Sequence, residues 1–277
     1  MPLYRLLQNV RILPISSLKL HEETQRELTE KIKRMVRGSH LIKNPIIVER
    51  GSHVVLDGTH RVKAFQELGY KNALCQLVDY SSPELKVGVW YPTFSSEDPE
   101  KALEGLVFAQ PVPFTRGLQV LKASKALFLL VFLEKGKRKC ILIGPSPKRL
   151  STSELAADQR SFIKELSAKH RLRHIPDEGW EAYLSEGRAI LLRRKFAKEE
   201  ILSMARRGEV LPPKTTRHML PIRVLHANVP VEWLKLSEKD AENRLRKLLH
   251  QCLELEEARY YPEPVLVLDD ARASQHV

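Results

Sequence analysis

The sequence predicts an α+β fold, and three observations carry that expectation. Apolar, β-prone runs come in pairs around tight turns: residues 45–48 and 53–56 flank Arg50-Gly51-Ser52, and residues 126–133 and 139–143 flank Lys135-Gly136-Lys137. Between and after these pairs lie stretches whose apolar residues recur at the three-to-four spacing of a helix face. With 277 residues, 43% of them hydrophobic, the chain can bury one or two cores without disulfides.

Taken in order, residues 10–15 read as a strand, and Ile15-Ser16-Ser17 leads into a charged helical run over 23–37 that ends near Gly38. The hairpin of 45–56 follows. Over 59–68 the positions Val62, Ala64, Phe65 and Leu68 line one helix face, and Gly69 is its stop. Residues 73–78 and 87–90 read as strands, the second closing a compact unit near Phe94, and residues 95–100 as a polar linker. Beyond the second hairpin, helices are expected over 153–168 and 197–207. The stretch 212–221, bracketed by prolines, reads as a loop too short for a core element. Residues 237–257 form a charged amphipathic helix with Leu245, Leu248, Leu249 and Leu253 on one face, ahead of β-prone residues 265–268.

Composition narrows the function classes. Cys75, Cys140 and Cys252 are far apart and show no C-x-x-C pairing, so neither a disulfide framework nor a zinc site is expected, and a reducing, cytoplasmic setting fits. No run approaches the length of a membrane helix, and the first eight residues lack the order of a signal peptide. The net charge of +12 attracts anions: nucleic acid, nucleotide or phosphorylated metabolite. That excess is spread along the chain, with +5 on residues 1–94. His40, His53, His170, His174, His226 and His250 lack metal-ligand spacing, and no G-x-x-x-x-G-K-[ST] or G-x-G-x-x-G occurs.

Asp57-Gly58-Thr59-His60-Arg61 joins the end of a strand to the start of a helix. Gly58 lets backbone approach closely, and the first free N–H groups of the helix point at an anion. His60 and Arg61 add donors and charge. Asp57 beside phosphates implies a divalent cation or a substrate hydroxyl between them, which makes it the candidate Mg²⁺ ligand. Capping of the helix by Asp57 or Thr59 is the plainer alternative.

The pentapeptide, in this order of strands and helices, resembles the signature of the ParB/sulfiredoxin-like superfamily. Thr59 stands where sulfiredoxin has its cysteine, which argues against sulfinic-acid repair. Together with His21-Glu22, Gln25-Arg26-Glu27-Leu28, Trp90-Tyr91-Pro92, Gly208-Glu209-Val210 and Pro213-Lys214-Thr215-Thr216-Arg217-His218, it is similar to the archaeal free serine kinases, over about residues 10–236. The resemblance implies a ParB/sulfiredoxin-like N-terminal nucleotide-binding domain at 1–94, and a second α/β domain at 95–236 that closes over an interdomain cleft. Residues 237–277 then form a C-terminal helical extension serving core packing or an oligomer contact.

It implies phosphoryl transfer from ATP or ADP, with Mg²⁺, to the hydroxyl of free L-serine, in a monomer or homodimer with no specific nucleic acid and no membrane partner. Glu22 matches the family's catalytic glutamate, with Glu23 as the competing alignment. Asp57 would orient the serine hydroxyl or hold Mg²⁺, and Gly58, Thr59, His60 and Arg61 would cradle phosphates. Lys214, Thr216, Arg217 and His218 would donate to serine against an aromatic wall at Trp90; Trp90 as core packing is the alternative. The competing class is a ParB-like nucleotide-dependent DNA-binding regulator, for which a helix-turn-helix with clustered cations would be required.

Overall fold

A computed structural model describes residues 3–105 and 108–261. The first lobe opens with helix α1 (Leu3–Leu7), then β1 (Val10–Pro14), β2 (Lys19–Leu20), α2 (Arg26–Gly38), β3 (Leu41–Ile42), β4 (Ile46–Glu49), β5 (Val54–Asp57), α3 (Thr59–Glu67) and β6 (Asn72–Val78). Its five-stranded sheet has the order β1-β6-β4-β5-β2, with β2 parallel to β5, β4 parallel to β6 and the β4–β5 hairpin antiparallel. Strands β4 and β5 read as unbroken apolar runs because both faces of the sheet are covered. Ile46, Val48 and Val55 join the core beneath α3, while Ile47, Val54 and Leu56 point into the core of the second lobe.

The second lobe begins at β7 (Lys86–Ser95), continues through β8 (Ala109–Pro111), α4 (Phe114–Lys122), β9 (Phe128–Glu134), β10 (Lys137–Ile143), α5 (Thr152–Lys169) and β11 (Arg173–Pro176), and goes on to α6 (Ala182–Ser185), β12 (Arg188–Leu192), α7 (Lys198–Arg206) and β13 (Thr216–Met219). These strands form one sheet in the order β11-β7-β12-β9-β10-β8, with β13 paired to the first half of β7. The chain then returns through β14 (Val229–Pro230), which pairs with β3, to α8 (Glu238–Glu254).

Three expectations change. The strand at 87–90 does not close the first lobe; it belongs to the ten-residue β7, which pairs with β11, β12 and β13 and so founds the second sheet. The stretch 212–221 is not only a loop: β13 lies within it, and Thr215, Thr216 and His218 are buried. The helix expected from residue 23 starts at Arg26, because Glu22 and Glu23 are drawn into contacts with the second lobe. The hairpins and the helices near 59–68, 153–168 and 197–207 form as expected. Residues 265–268 lie outside the described residues.

Helix α8 packs as core. Ala241, Leu245 and Leu249, at four-residue spacing, are buried with Val10 and Ile12 of β1, and Glu242 accepts from the Ile12 N–H at 2.7 Å. The C-terminal helix therefore completes the N-terminal lobe.

Candidate active site

β5 ends at Asp57, Gly58 turns the chain at φ +100°, and α3 starts at Thr59. That left-handed turn favours glycine, and an added Cβ would sit 2.8 Å from Arg61 Nη2. Gly58 caps α3 with its carbonyl, which accepts from the Arg61 and Val62 N–H groups; among the described residues the Thr59 and His60 N–H groups have no acceptor. Those two groups lie at the positive end of the helix dipole, where an anion is stabilised.

Asp57 sits between two guanidiniums. Arg223 donates to its Oδ2 at 2.6 Å, and Arg61 is close enough to act on its charge. Burial alone would raise the Asp57 carboxyl, but the two arginines outweigh it and hold it below the ordinary carboxylate range. Arg61 was expected to contact phosphate. Its Nη1 donates instead to the carbonyls of Asn44 and Pro45, at 2.7 and 3.1 Å, so it braces the turn before β4. His60 Nε2 accepts from the Gln25 N–H at 2.9 Å, tying α3 to the segment that carries Glu22. Burial, then the nearby Lys214, lowers its basicity against the pull of Glu22.

Glu22 lies where the lobes meet, bridged to Leu211, with Leu211 N–H donating to the His21 carbonyl and Glu23 N–H to the Leu211 carbonyl. Its carboxylate crosses to the second lobe. It accepts from the backbone N–H groups of Lys214 (3.1 Å), Thr215 (3.1 Å) and Thr216 (2.6 Å), and from the Thr216 hydroxyl (2.6 Å). Successive N–H groups converge this way because Lys214 takes a left-handed φ of 55°. Glu23, the competing alignment, turns away to pair with Arg160 of α5. Thr216 was expected to meet substrate, yet its hydroxyl is committed to Glu22 and His21.

Trp90 is half-buried at the end of the stretch of β7 that pairs with β13, and the Lys214 ammonium and the Arg217 guanidinium each lie 5.8 Å from its ring centroid. Arg217 is steered by Asp177 and Glu178. This brings Trp90, Lys214 and Arg217 together. His218 differs: it is buried, its Nε2 accepts from the Tyr80 hydroxyl at 2.8 Å, and its ring also bonds the Leu56 carbonyl. Burial, then the neighbouring His21, pushes it down to about 3, so it is a neutral ring with both nitrogens used.

Sequence reasoning missed three participants. Arg223 carries no motif. Arg193, 3% exposed, donates to the Thr215 hydroxyl at 2.8 Å from behind the loop, and burial lowers it to about 10 although Glu22 opposes that shift. Tyr80 holds His218 from a loop distant in sequence.

No family model matches the chain. It is 28% identical over 232 residues to the ADP-dependent L-serine kinase SerK of Thermococcus kodakarensis, covering 79% of this chain and 90% of that one. It is 27% identical over 237 residues to an ATP-dependent L-serine kinase of Staphylothermus marinus, covering 81% and 90%. Among solved structures it is similar to free serine kinase in complex with AMP, at 25% identity and a TM-score of 0.69, over 82% of this chain and 93% of that one. The fold extends to SbnI with a C-terminal truncation from Staphylococcus aureus, at 17% identity and the same TM-score of 0.69, over 90% of this chain.

Proposed function

We infer that the chain is a kinase that transfers a phosphoryl group from a nucleotide, ATP or ADP, to the hydroxyl of free L-serine, giving O-phospho-L-serine. The observation that carries this is the placement of the Glu22 carboxylate: it is held by the backbone of residues 214–216, and His60 ties its segment to the open N-terminus of α3. Phosphoryl transfer to an alcohol needs little more than that pairing, a fixed carboxylate to take the hydroxyl proton and donors fixed on the phosphates. The similarity to L-serine kinases over most of both chains supports the same reading.

Glu22 is the base in this scheme. Its Oε2 has a single close donor, the Lys214 N–H, so a lone pair is left for the serine hydroxyl. The Thr59 and His60 N–H groups bind phosphate oxygens. Lys214 and Arg217 attract the serine carboxylate, and the Trp90 face accepts its ammonium. Asp57, whose Oδ2 is paired to Arg223, would orient the hydroxyl or hold Mg²⁺ together with phosphate oxygens and water, as one of the one or two carboxylates such sites take from protein. A bound Mg²⁺ would neutralise phosphate charge there. The first lobe is then a ParB/sulfiredoxin-like nucleotide module, and the protein a cytoplasmic enzyme.

The test is incubation of purified protein with Mg²⁺, free L-serine and either ATP or ADP, followed by assay for O-phosphoserine. Product with at least one nucleotide is expected, and a Glu22→Gln variant should lose about 10²–10⁴-fold in kcat. Absence of product with both nucleotides would overturn the reading.

A further inference from the structure

We propose that His174 sets specificity for an amino acid: a nitrogen of its ring accepts a hydrogen bond from the substrate ammonium held against Trp90. The proposal rests on the serine kinase reading and deepens it, since the ammonium of free serine otherwise meets only the Trp90 face.

The second sheet puts the two rings side by side. In the ladder of β7 and β11, His174 pairs with Pro92 and Pro176 with Trp90. Paired residues share a face of a sheet, and so do residues two apart on one strand. His174, Pro92 and Trp90 therefore lie on one face. Tyr91 and its partner Ile175 lie on the other, in the core that holds Trp180. Residues on the diagonal between His174 and Trp90 stand about 7–8 Å apart, a span that two rings and one small cation can fill.

The groups around Trp90 divide by charge. Lys214 and Arg217 each stand 5.8 Å from its ring centroid, and Arg193 holds the Thr215 hydroxyl of the same loop. These cations suit a carboxylate and repel an ammonium. The acceptors nearby are committed. Asp177 holds Lys195 at 2.6 Å and Arg217 at 3.5 Å, and Glu178 holds Arg217 at 3.2 Å. Glu22 is filled by residues 214–216, and the lone pair left on its Oε2 serves the serine hydroxyl. The Thr215 hydroxyl donates to the Pro212 carbonyl and accepts from Arg193.

His174 differs from all of these. It is half-buried, and among the described residues neither of its ring nitrogens has a hydrogen-bond partner. Burial, then Arg193 and Lys214, lowers it to about 4, so at neutral pH the ring is uncharged and one nitrogen keeps a lone pair. The cations that would repel an ammonium are the ones that keep this acceptor open.

The test compares L-serine with 3-hydroxypropionate, which has the same hydroxyl and carboxylate and no ammonium. His174→Phe keeps a ring and removes the acceptor. It should raise KM for L-serine about tenfold to a hundredfold, the worth of one hydrogen bond to a charged group, with the loss carried by KM rather than kcat. Inhibition by 3-hydroxypropionate should stay as in the wild type. His174→Asn and His174→Gln carry a carbonyl oxygen in place of one or the other ring nitrogen, and at least one should recover part of the serine KM. Wild-type KM in His174→Phe, or equal losses for serine and 3-hydroxypropionate, would overturn the proposal while leaving the kinase intact. Absence of phosphoserine from the wild-type protein is the separate failure of the kinase reading, seen without any variant. Should His174→Phe not fold, the wild type decides: with ¹⁵N-histidine, saturating L-serine should shift the unprotonated nitrogen of His174 and 3-hydroxypropionate should not. A phosphoserine-forming enzyme whose His174 nitrogens ignored serine would overturn the proposal.

Discussion

At the scale of single residues, the site separates holding from reacting. Glu22 fills four donors of the second lobe, so its removal has a structural effect as well as a chemical one. Glu22→Ala should lose activity and also stability, by about 1–3 kcal/mol for the donors left unpaired. Glu22→Gln, which still accepts, should lose activity with its melting temperature nearly unchanged; comparing the two melts checks this. Gly58→Ala forces a side chain into a left-handed φ and against Arg61, a strain of about 1–3 kcal/mol that a urea titration would register. His218 makes stability sensitive to acid. Its folded value, about 3, lies below its ordinary value of 6.5, so the unfolded chain takes up the proton first. The stability it contributes is complete above about pH 7 and is lost as pH falls from 6.5 towards 3, at up to about 1.4 kcal/mol per pH unit. Stability that stayed flat between pH 6.5 and 4 in the wild type, or the same slope in His218→Gln, would contradict this.

At the scale of elements, the amphipathic pattern of α8 was readable, but its partner was not. Periodicity shows which face is buried and says nothing of what buries it. Leu245 rests against β1, more than two hundred residues away, so Leu245→Ala should cost about 2–5 kcal/mol and loosen the N-terminal strand, visible as faster amide exchange in residues 10–14. The hairpins and α3 were legible because turn glycines and apolar spacing are local signals. Strand β13 was not. Its residues Thr216–Met219 carry two charged or imidazole side chains, and only pairing with Val89, Gly88, Val87 and Lys86 makes them a strand.

At the scale of the whole molecule, one of the cores is built by both lobes. Ile47, Val54 and Leu56 of the first sheet pack among Ile201, Met204 and Leu211 of the second lobe, and the Glu22 carboxylate fastens the same seam. Unfolding is accordingly expected as one cooperative transition in calorimetry, with calorimetric and van't Hoff enthalpies equal; two resolved transitions would show independent lobes.

The amino-acid sequence alone was sufficient for the α+β class and for the strand–turn–helix at Asp57-Gly58-Thr59, because both depend on neighbours within a few positions; Glu22 and Glu23 were singled out together by family resemblance. Tertiary structure decided the rest. It sent Glu23 to Arg160 and Glu22 to the backbone of residues 214–216, placed Arg223 on Asp57, and turned Arg61 inward to the carbonyls of Asn44 and Pro45. It also joined His21 to Glu22 through Thr216, 195 residues from His21. Such partnerships come from burial and hydrogen-bond satisfaction between distant segments, and no local pattern encodes which distant donor a buried carboxylate or guanidinium will meet.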